Sequence, residues 1–81
     1  MKRGRPPKRY VADRRRHLWT AGGRDSLLAM ADDLDIPRHW LHRGGVLEHV
    51  DIPVLQVTRV LADPRVRVVS SPRELLRVAK K

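Results

Sequence analysis

Histidine and carboxylate side chains are the groups in this sequence that could hold a metal ion or move a proton. His39 and His42 are three positions apart and His49 precedes Asp51 by two. A four-group metal cluster can be drawn from that spacing, because imidazole nitrogen and carboxylate oxygen are both zinc ligands. His17, His49 and Asp51 could instead form an acid-base group. Neither pattern is completed by its surroundings: no glycine-rich phosphate loop, nucleophile elbow or paired-carboxylate motif accompanies it. Two histidines on a turn without a further ligand at a recognised spacing read as surface or capping residues. Asp51 lies just before Pro53, where it is expected to cap a helix. There is no cysteine, which excludes thiolate metal sites and disulfides. The sequence therefore predicts no catalytic residue, no metal and no cofactor.

Charge is the second chemical signal. The chain has 81 residues, with 18 Lys plus Arg against 9 Asp plus Glu and a formal net charge of +9. The excess is local. Lys2, Arg3, Arg5, Lys8, Arg9, Arg14, Arg15 and Arg16 face Asp13 alone in the first 16 positions, and the remainder is nearly balanced. A local basic run implies a partner of opposite sign more strongly than a high overall charge does. The stretch "KRGRPPKR", residues 2 to 9, holds nothing apolar enough to offset the entropy of ordering it. Residues 1–9 are therefore expected to be a disordered basic arm that takes its shape from a polyanion.

The centre of that arm, Arg3-Gly4-Arg5-Pro6 with basic residues on both sides, closely resembles the AT-hook, a short DNA-binding motif built on Gly-Arg-Pro in a basic setting. The resemblance implies an extended peptide in the minor groove of A·T-rich DNA. Gly4 has no side chain to hold the backbone off the groove floor. Pro6 keeps the chain extended, so that Arg3 and Arg5 become flat, always-charged prongs. A narrow A-tract groove concentrates negative potential and offers thymine O2 and adenine N3 as acceptors, whereas guanine projects its 2-amino group into the same space. Lys2, Lys8 and Arg9 would meet phosphates, and Arg14, Arg15 and Arg16 would continue the phosphate track towards the folded part. Pro7 stands where the family often has another basic residue.

The elements that must carry these groups begin at residue 10. "HLWTAGG" is a short apolar run ending in two glycines, which predicts a strand leading to a turn. "RDSLLAMADDLDIP" has Leu27, Leu28, Ala31 and Leu34 at helical spacing, with Asp25 as N-cap and Pro37 beyond the end. In "DIPVLQVTRVLADP", Pro53 suits a first helical turn, Val54, Val57, Val60 and Leu61 line one side, and Asp63-Pro64 ends the element. "VRVV" predicts a strand. Ser71, Pro72 and Glu74 are the cap, first turn and capping-box acid of a last helix, which ends in Lys80 and Lys81. "VLEHV" is a candidate for one further strand. The fold class expected is α/β or α+β, a small sheet of short strands covered by about three helices, in one domain spanning residues 10–81. Trp19 and Trp40, the largest apolar groups in a chain without phenylalanine, are expected to pack against its core.

Several quoted pieces also carry a wider resemblance. His17-Leu18 before the first helix, His49-Val50-Asp51 before the second, and Ser71 through Leu75 at the start of the last are similar to the pattern of a bacterial and phage family known as domain of unknown function 4031. That family has no established activity, so the resemblance implies a fold more than a function. Two departures stand out: the segment between "YVAD" and "HLW" is very short, and "HRGGVLEHV" carries extra residues.

Size and composition narrow the functions. No apolar run approaches the roughly 20 residues of a membrane span, and the basic start is not followed by the apolar stretch of a secretory signal. No membrane partner is expected, and the location expected is cytoplasmic, nucleoid-associated if the protein binds DNA. A domain this small buries only about 60% of its unfolded surface, which favours a surface for a partner or a second copy over a deep substrate pocket. The leading expectation is a small DNA-binding accessory or regulatory protein. Its chief rival is a protein-interaction module, phage-encoded and binding a host protein, whose basic tail is non-specific. An enzyme acting on nucleic acid comes third.

Overall fold

The computed structural model describes residues 9–80. Of the expected arm only Arg9 falls among them, so the contacts assigned to Lys2, Arg3, Gly4, Arg5, Pro6 and Lys8 lie outside the described residues, as does Lys81. Five strands and three helices follow in the order β1 (Tyr10–Ala12), β2 (His17–Trp19), α1 (Arg24–Asp33), β3 (Leu41–His42), β4 (His49–Asp51), α2 (Val57–Leu61), β5 (Val66–Val68) and α3 (Pro72–Ala79). Short 3-10 turns occupy Arg38–Trp40 and Val54–Gln56. The strands form one mixed sheet ordered β3-β4-β2-β1-β5. Its pairings are antiparallel except that β5 runs parallel to β1. This is the expected small sheet covered by three helices, of α+β type.

Side chains alternate across a strand, and the packing follows that alternation. Tyr10 and Ala12 of β1, Leu18 of β2 and Val50 of β4 join one core cluster with Leu27, Met30 and Ala31 of α1 and Val60 of α2. Val11 joins a second, smaller cluster with Val69 and Leu75, flanked by Leu47 and Val78. Helices α1 and α2 therefore cover one face of the sheet, and α3 covers part of the other. Burying an aliphatic side chain contributes roughly 1.5–3 kcal/mol relative to leaving it exposed, so the α1 side carries most of the stability. Strand β1 is buried along its whole length, which suits an apolar run with neighbours on both faces. Trp19 and Trp40 are half-buried against the main cluster, in the packing role expected of them.

Local chemistry corrects several boundaries. Helix α1 starts at Arg24 with Gly23 at the N-cap and no side-chain cap, so Asp25 serves as a first-turn acid instead. The segment after Pro53 opens as a 3-10 turn, in which Gln56 N–H donates to the Pro53 carbonyl at 2.8 Å. That turn leaves Val54 68% exposed rather than on an apolar stripe, and α2 proper begins only at Val57. Val46 and Leu47 belong to a loop, not to a strand, because Gly44 and Gly45 hold φ values of 115° and 76° and interrupt the ladder after His42. Helix α3 matches its signals closely. The Ser71 hydroxyl accepts from Glu74 N–H at 3.2 Å, while the Glu74 carboxylate accepts from the Ser70 amide at 3.2 Å and hydroxyl at 2.6 Å, one residue before the expected partner.

The end of α1 is fixed by a left-handed residue. Asp35 has φ 61°, its N–H donates to the Asp32 carbonyl at 3.2 Å, and Ile36 N–H donates to the Ala31 carbonyl at 2.8 Å. This paired closure of a helix ordinarily uses glycine at the left-handed position, because a Cβ is crowded there. Asp35→Gly should therefore raise stability by about 1 kcal/mol, read from a urea-denaturation midpoint.

An ionic network joins α1 to the sheet. Asp33 Oδ2 accepts from the Tyr10 hydroxyl at 2.6 Å and pairs with Arg65 Nη1 at 2.9 Å. Arg65 also donates to Asp63 through Nε at 2.9 Å and Nη2 at 2.8 Å. Burial, then the bond to Asp33, pushes the Tyr10 phenol above its ordinary range. The Arg65 hydrogen bonds hold the Asp63 carboxyl at about 2, against an ordinary 3.8. A folded-state value below the unfolded one gives stabilisation that is complete above the unfolded value and is lost as pH falls towards the folded one. Asp63→Asn should therefore flatten the loss of stability between about pH 4 and pH 2, measured as denaturation midpoint against pH.

Candidate functional site

The β1–β2 turn contains the buried charged side chain of the described residues, Asp13, with no solvent exposure. A buried carboxylate must find donors inside the protein, and the turn supplies them. Oδ1 accepts from Arg15 N–H at 2.8 Å and His17 N–H at 3.1 Å, and Oδ2 lies 2.7 Å from His17 Nδ1. Asp13 N–H in turn donates to the His17 carbonyl at 3.0 Å. Facing a carboxylate, Nδ1 of His17 carries the hydrogen, which leaves Nε2 as the nitrogen with a free lone pair.

Strand register brings the other groups alongside. His17 pairs directly with Asp51, Leu18 with Val50, and His42 with His49. Leu18 and Val50 face α1, so by alternation His17, His42, His49 and Asp51 share the α3 side of the sheet. His49 Nδ1 lies 2.8 Å from the Leu47 carbonyl, which can only accept, so this nitrogen also carries hydrogen. Its Nε2 lies 3.0 Å from Asp51 Oδ1. The His17 and His49 rings meet edge to face with centroids 4.8 Å apart, and His42 stacks on His49 at 5.0 Å. One ligand-type atom from each of His17, His49 and Asp51 lies within 4.8 Å of the other two.

The cluster opens onto a cleft of about 200 Å³ between the β3–β4 loop and the start of α3, bounded by Gly44, Val46, Pro72 and Leu76. The loop is pinned from below by Arg24 Nη2, which pairs with Glu48 Oε2 at 2.7 Å and holds that carboxyl below its usual range. Side-chain exposure is 32% for His17 and 39% for Asp51, against 15% for His49.

The basic residues divide between two ends of β1. Arg9 is exposed before the strand, and the Thr20 hydroxyl donates to its carbonyl at 3.2 Å. Arg14, Arg15 and Arg16 are exposed in the turn after it, beside His17. Arg16 takes φ 71°; its carbonyl accepts from Ile52 N–H at 2.8 Å and its Nη1 donates to the Ile52 carbonyl at 3.4 Å. The histidine pair His39 and His42 is not brought together as a ligand pair: His39 is exposed on a 3-10 turn, next to Trp40. Asp51 lies in β4 and contacts His49 instead of capping a helix. Asp13 is the functional side chain that sequence reasoning missed. Its signal was an acid four positions before a histidine at the end of an apolar triplet.

The chain matches no protein-family model, no curated protein and no solved structure. What the cluster can do therefore rests on its own chemistry: His17, oriented by Asp13, can accept a proton at Nε2, and two imidazoles with a carboxylate form a metal-type donor set.

Removing the Asp13 carboxylate strands three donors in a closed turn. Asp13→Ala should lower unfolding free energy by about 2–4 kcal/mol, measured by urea denaturation, whereas Asp25→Ala on the exposed first turn of α1 should change it by under about 1 kcal/mol.

Proposed function

We propose that this chain is a small DNA-binding protein whose basic arm enters the minor groove of A·T-rich duplex and whose folded domain adds phosphate contacts from the β1–β2 turn. The observation that carries this reading is how the domain uses its charge. Four of its nine acids are paired with arginine, Asp32 with Arg38, Asp33 and Asp63 with Arg65, and Glu48 with Arg24, while Asp13 and Asp51 contact histidines and Asp25 and Asp35 take part in no ion pair among the described residues. Arg14, Arg15, Arg43, Arg67, Arg73 and Arg77 take part in no ion pair among the described residues. The arginines without an ion pair outnumber the acids without one, so the surface carries net positive charge, which attracts phosphate and steers encounter.

In this reading Arg3 and Arg5 read the groove floor around Gly4 and Pro6, while Lys2, Lys8 and Arg9 neutralise phosphates. The anchored carbonyl of Arg9 fixes the root of the arm to the sheet. Arg14 and Arg15 project from the far end of β1, so their phosphates belong to a separate stretch of backbone. Membership of the domain of unknown function 4031 family is part of the same proposal. It is supported by the fact that the His-Leu and His-x-Asp pieces carrying that resemblance lie on the two strands that pair in the sheet. A second reading, a protein-interaction module, draws support from Val54 and Leu55, which are 68% and 98% exposed side by side.

Fluorescence anisotropy with labelled A·T-rich and G·C-rich duplexes over a salt series tests the DNA reading. If about five phosphates are neutralised, the log–log slope should be about −4.5. Removing residues 1–8, which keeps Arg9 in place, should abolish the A·T preference and reduce the slope by about 2, through loss of the Lys2 and Lys8 phosphate contacts. Arg14→Ala with Arg15→Ala should reduce the slope by about 2 and leave the base preference unchanged. Equal binding by intact and arm-deleted protein would sink the proposal.

A further inference from the structure

We propose that His17, His49 and Asp51 form a binding site for a divalent transition metal ion of the zinc class, held by Nε2 of each histidine and a carboxylate oxygen of Asp51. The site is independent of the arm and of any DNA contact.

Three features converge on it. The first is the second layer of hydrogen bonds. Histidines that ligate metals almost always donate their other ring N–H to a carboxylate or a backbone carbonyl, which fixes the tautomer and raises ligand basicity. Here His17 Nδ1 is held by the buried Asp13 carboxylate at 2.7 Å, and His49 Nδ1 by the Leu47 carbonyl at 2.8 Å. Both imidazoles are thus committed to offering Nε2, by two partners on different loops.

The second is a mismatch that a cation resolves. With Nδ1 of His49 donating to Leu47, the Nε2 lone pair of a neutral ring faces Asp51 Oδ1 at 3.0 Å, acceptor against acceptor. Something positive must lie between them, either a proton or a metal ion. A proton satisfies His49 and Asp51 alone. A metal ion also uses the lone pair that Asp13 leaves on His17.

The third is geometry and donor type. Two ligands about 2.0–2.1 Å from a tetrahedral ion are roughly 3.3 Å apart, and the His49–Asp51 edge is already close to that at 3.0 Å. The ligand-type atoms of the triad lie within 4.8 Å of one another, and the part-exposed Asp51 side chain can move towards the histidines while His17 stays on Asp13. Two imidazoles and one carboxylate suit zinc-class ions, whereas magnesium and calcium favour all-oxygen shells. Three protein ligands leave a fourth position of a tetrahedral ion open. That position would take water or an anionic oxygen.

The test uses the full chain after removal of metals by a chelator. Zn²⁺ is titrated calorimetrically, and the imidazole nitrogens of the unmutated protein are followed by long-range ¹H–¹⁵N NMR. One equivalent should bind with micromolar or tighter affinity, shifting Nε2 of His17 and His49 together while His39 stays still, and millimolar Mg²⁺ should not compete. His17→Ala and His49→Ala should each weaken binding by roughly 100-fold. Asp13→Asn keeps both histidines but presents an N–H to His17 Nδ1, moving the hydrogen to Nε2, and should weaken binding about 10- to 100-fold. Shifts confined to other histidines, or no shift at one equivalent, would overturn the site and leave a proton as the occupant of the His49–Asp51 gap.

Discussion

A carboxylate with no access to water, four residues before a histidine, is the constraint on which this small structure turns. Asp13 closes the β1–β2 hairpin by accepting from two backbone amides and one imidazole. The same contacts that stabilise the turn decide which nitrogen of His17 is free. Folding and site chemistry are therefore set by one side chain. The three arginines between Asp13 and His17 are pushed outward because the carboxylate occupies the inside of the turn, which is why the most basic stretch of the folded domain borders its histidine cluster.

The sheet divides its work by face. Towards α1 and α2, its strands offer Tyr10, Ala12, Leu18 and Val50, and the Tyr10 hydroxyl leaves this core through its bond to Asp33. Towards α3 the covering is incomplete, since α3 has 8 residues and its apolar contacts centre on Val11, Val69 and Leu75. The β2–β4–β3 end of that face is left to a cleft. Only where a sheet face is not sealed can the alternate strand positions be His17, His49, Asp51 and His42, because charged and polar groups remain partly hydrated there. The cluster and the gap in the core are two aspects of the same short helix.

Much of the fold was legible because its signals are local. Ser71, Pro72 and Glu74 announce α3, since capping and the proline first turn involve neighbours within four residues. Val66 to Val69 reads as a strand for its β-branched content, and Leu27, Ala31 and Leu34 mark the buried side of α1. Strands β1 and β3 were not read as strands. Tyr10–Ala12 is three apolar residues with no alternation to display, because both its faces are covered, and Leu41–His42 is only a pair. Asp51 looked like a helix cap because Pro53 follows it, but its pairing with His17 across the sheet holds it in a strand.

By itself, the sequence determined the chemistry available: four histidines, no thiol, a basic segment at one end, and helices and strands in an order that builds a covered sheet. It could also list His17, His49 and Asp51 as one candidate acid-base group, without a reason to prefer them to the closer pair His39 and His42. Only the tertiary structure made that choice. Antiparallel pairing places residue 17 opposite residue 51 and, through strand alternation, puts residue 49 on the same face, although 34 positions separate the first two in the chain. Short-range signals cannot encode such a meeting, since it depends on strand order, register and the side of the sheet that α3 leaves open.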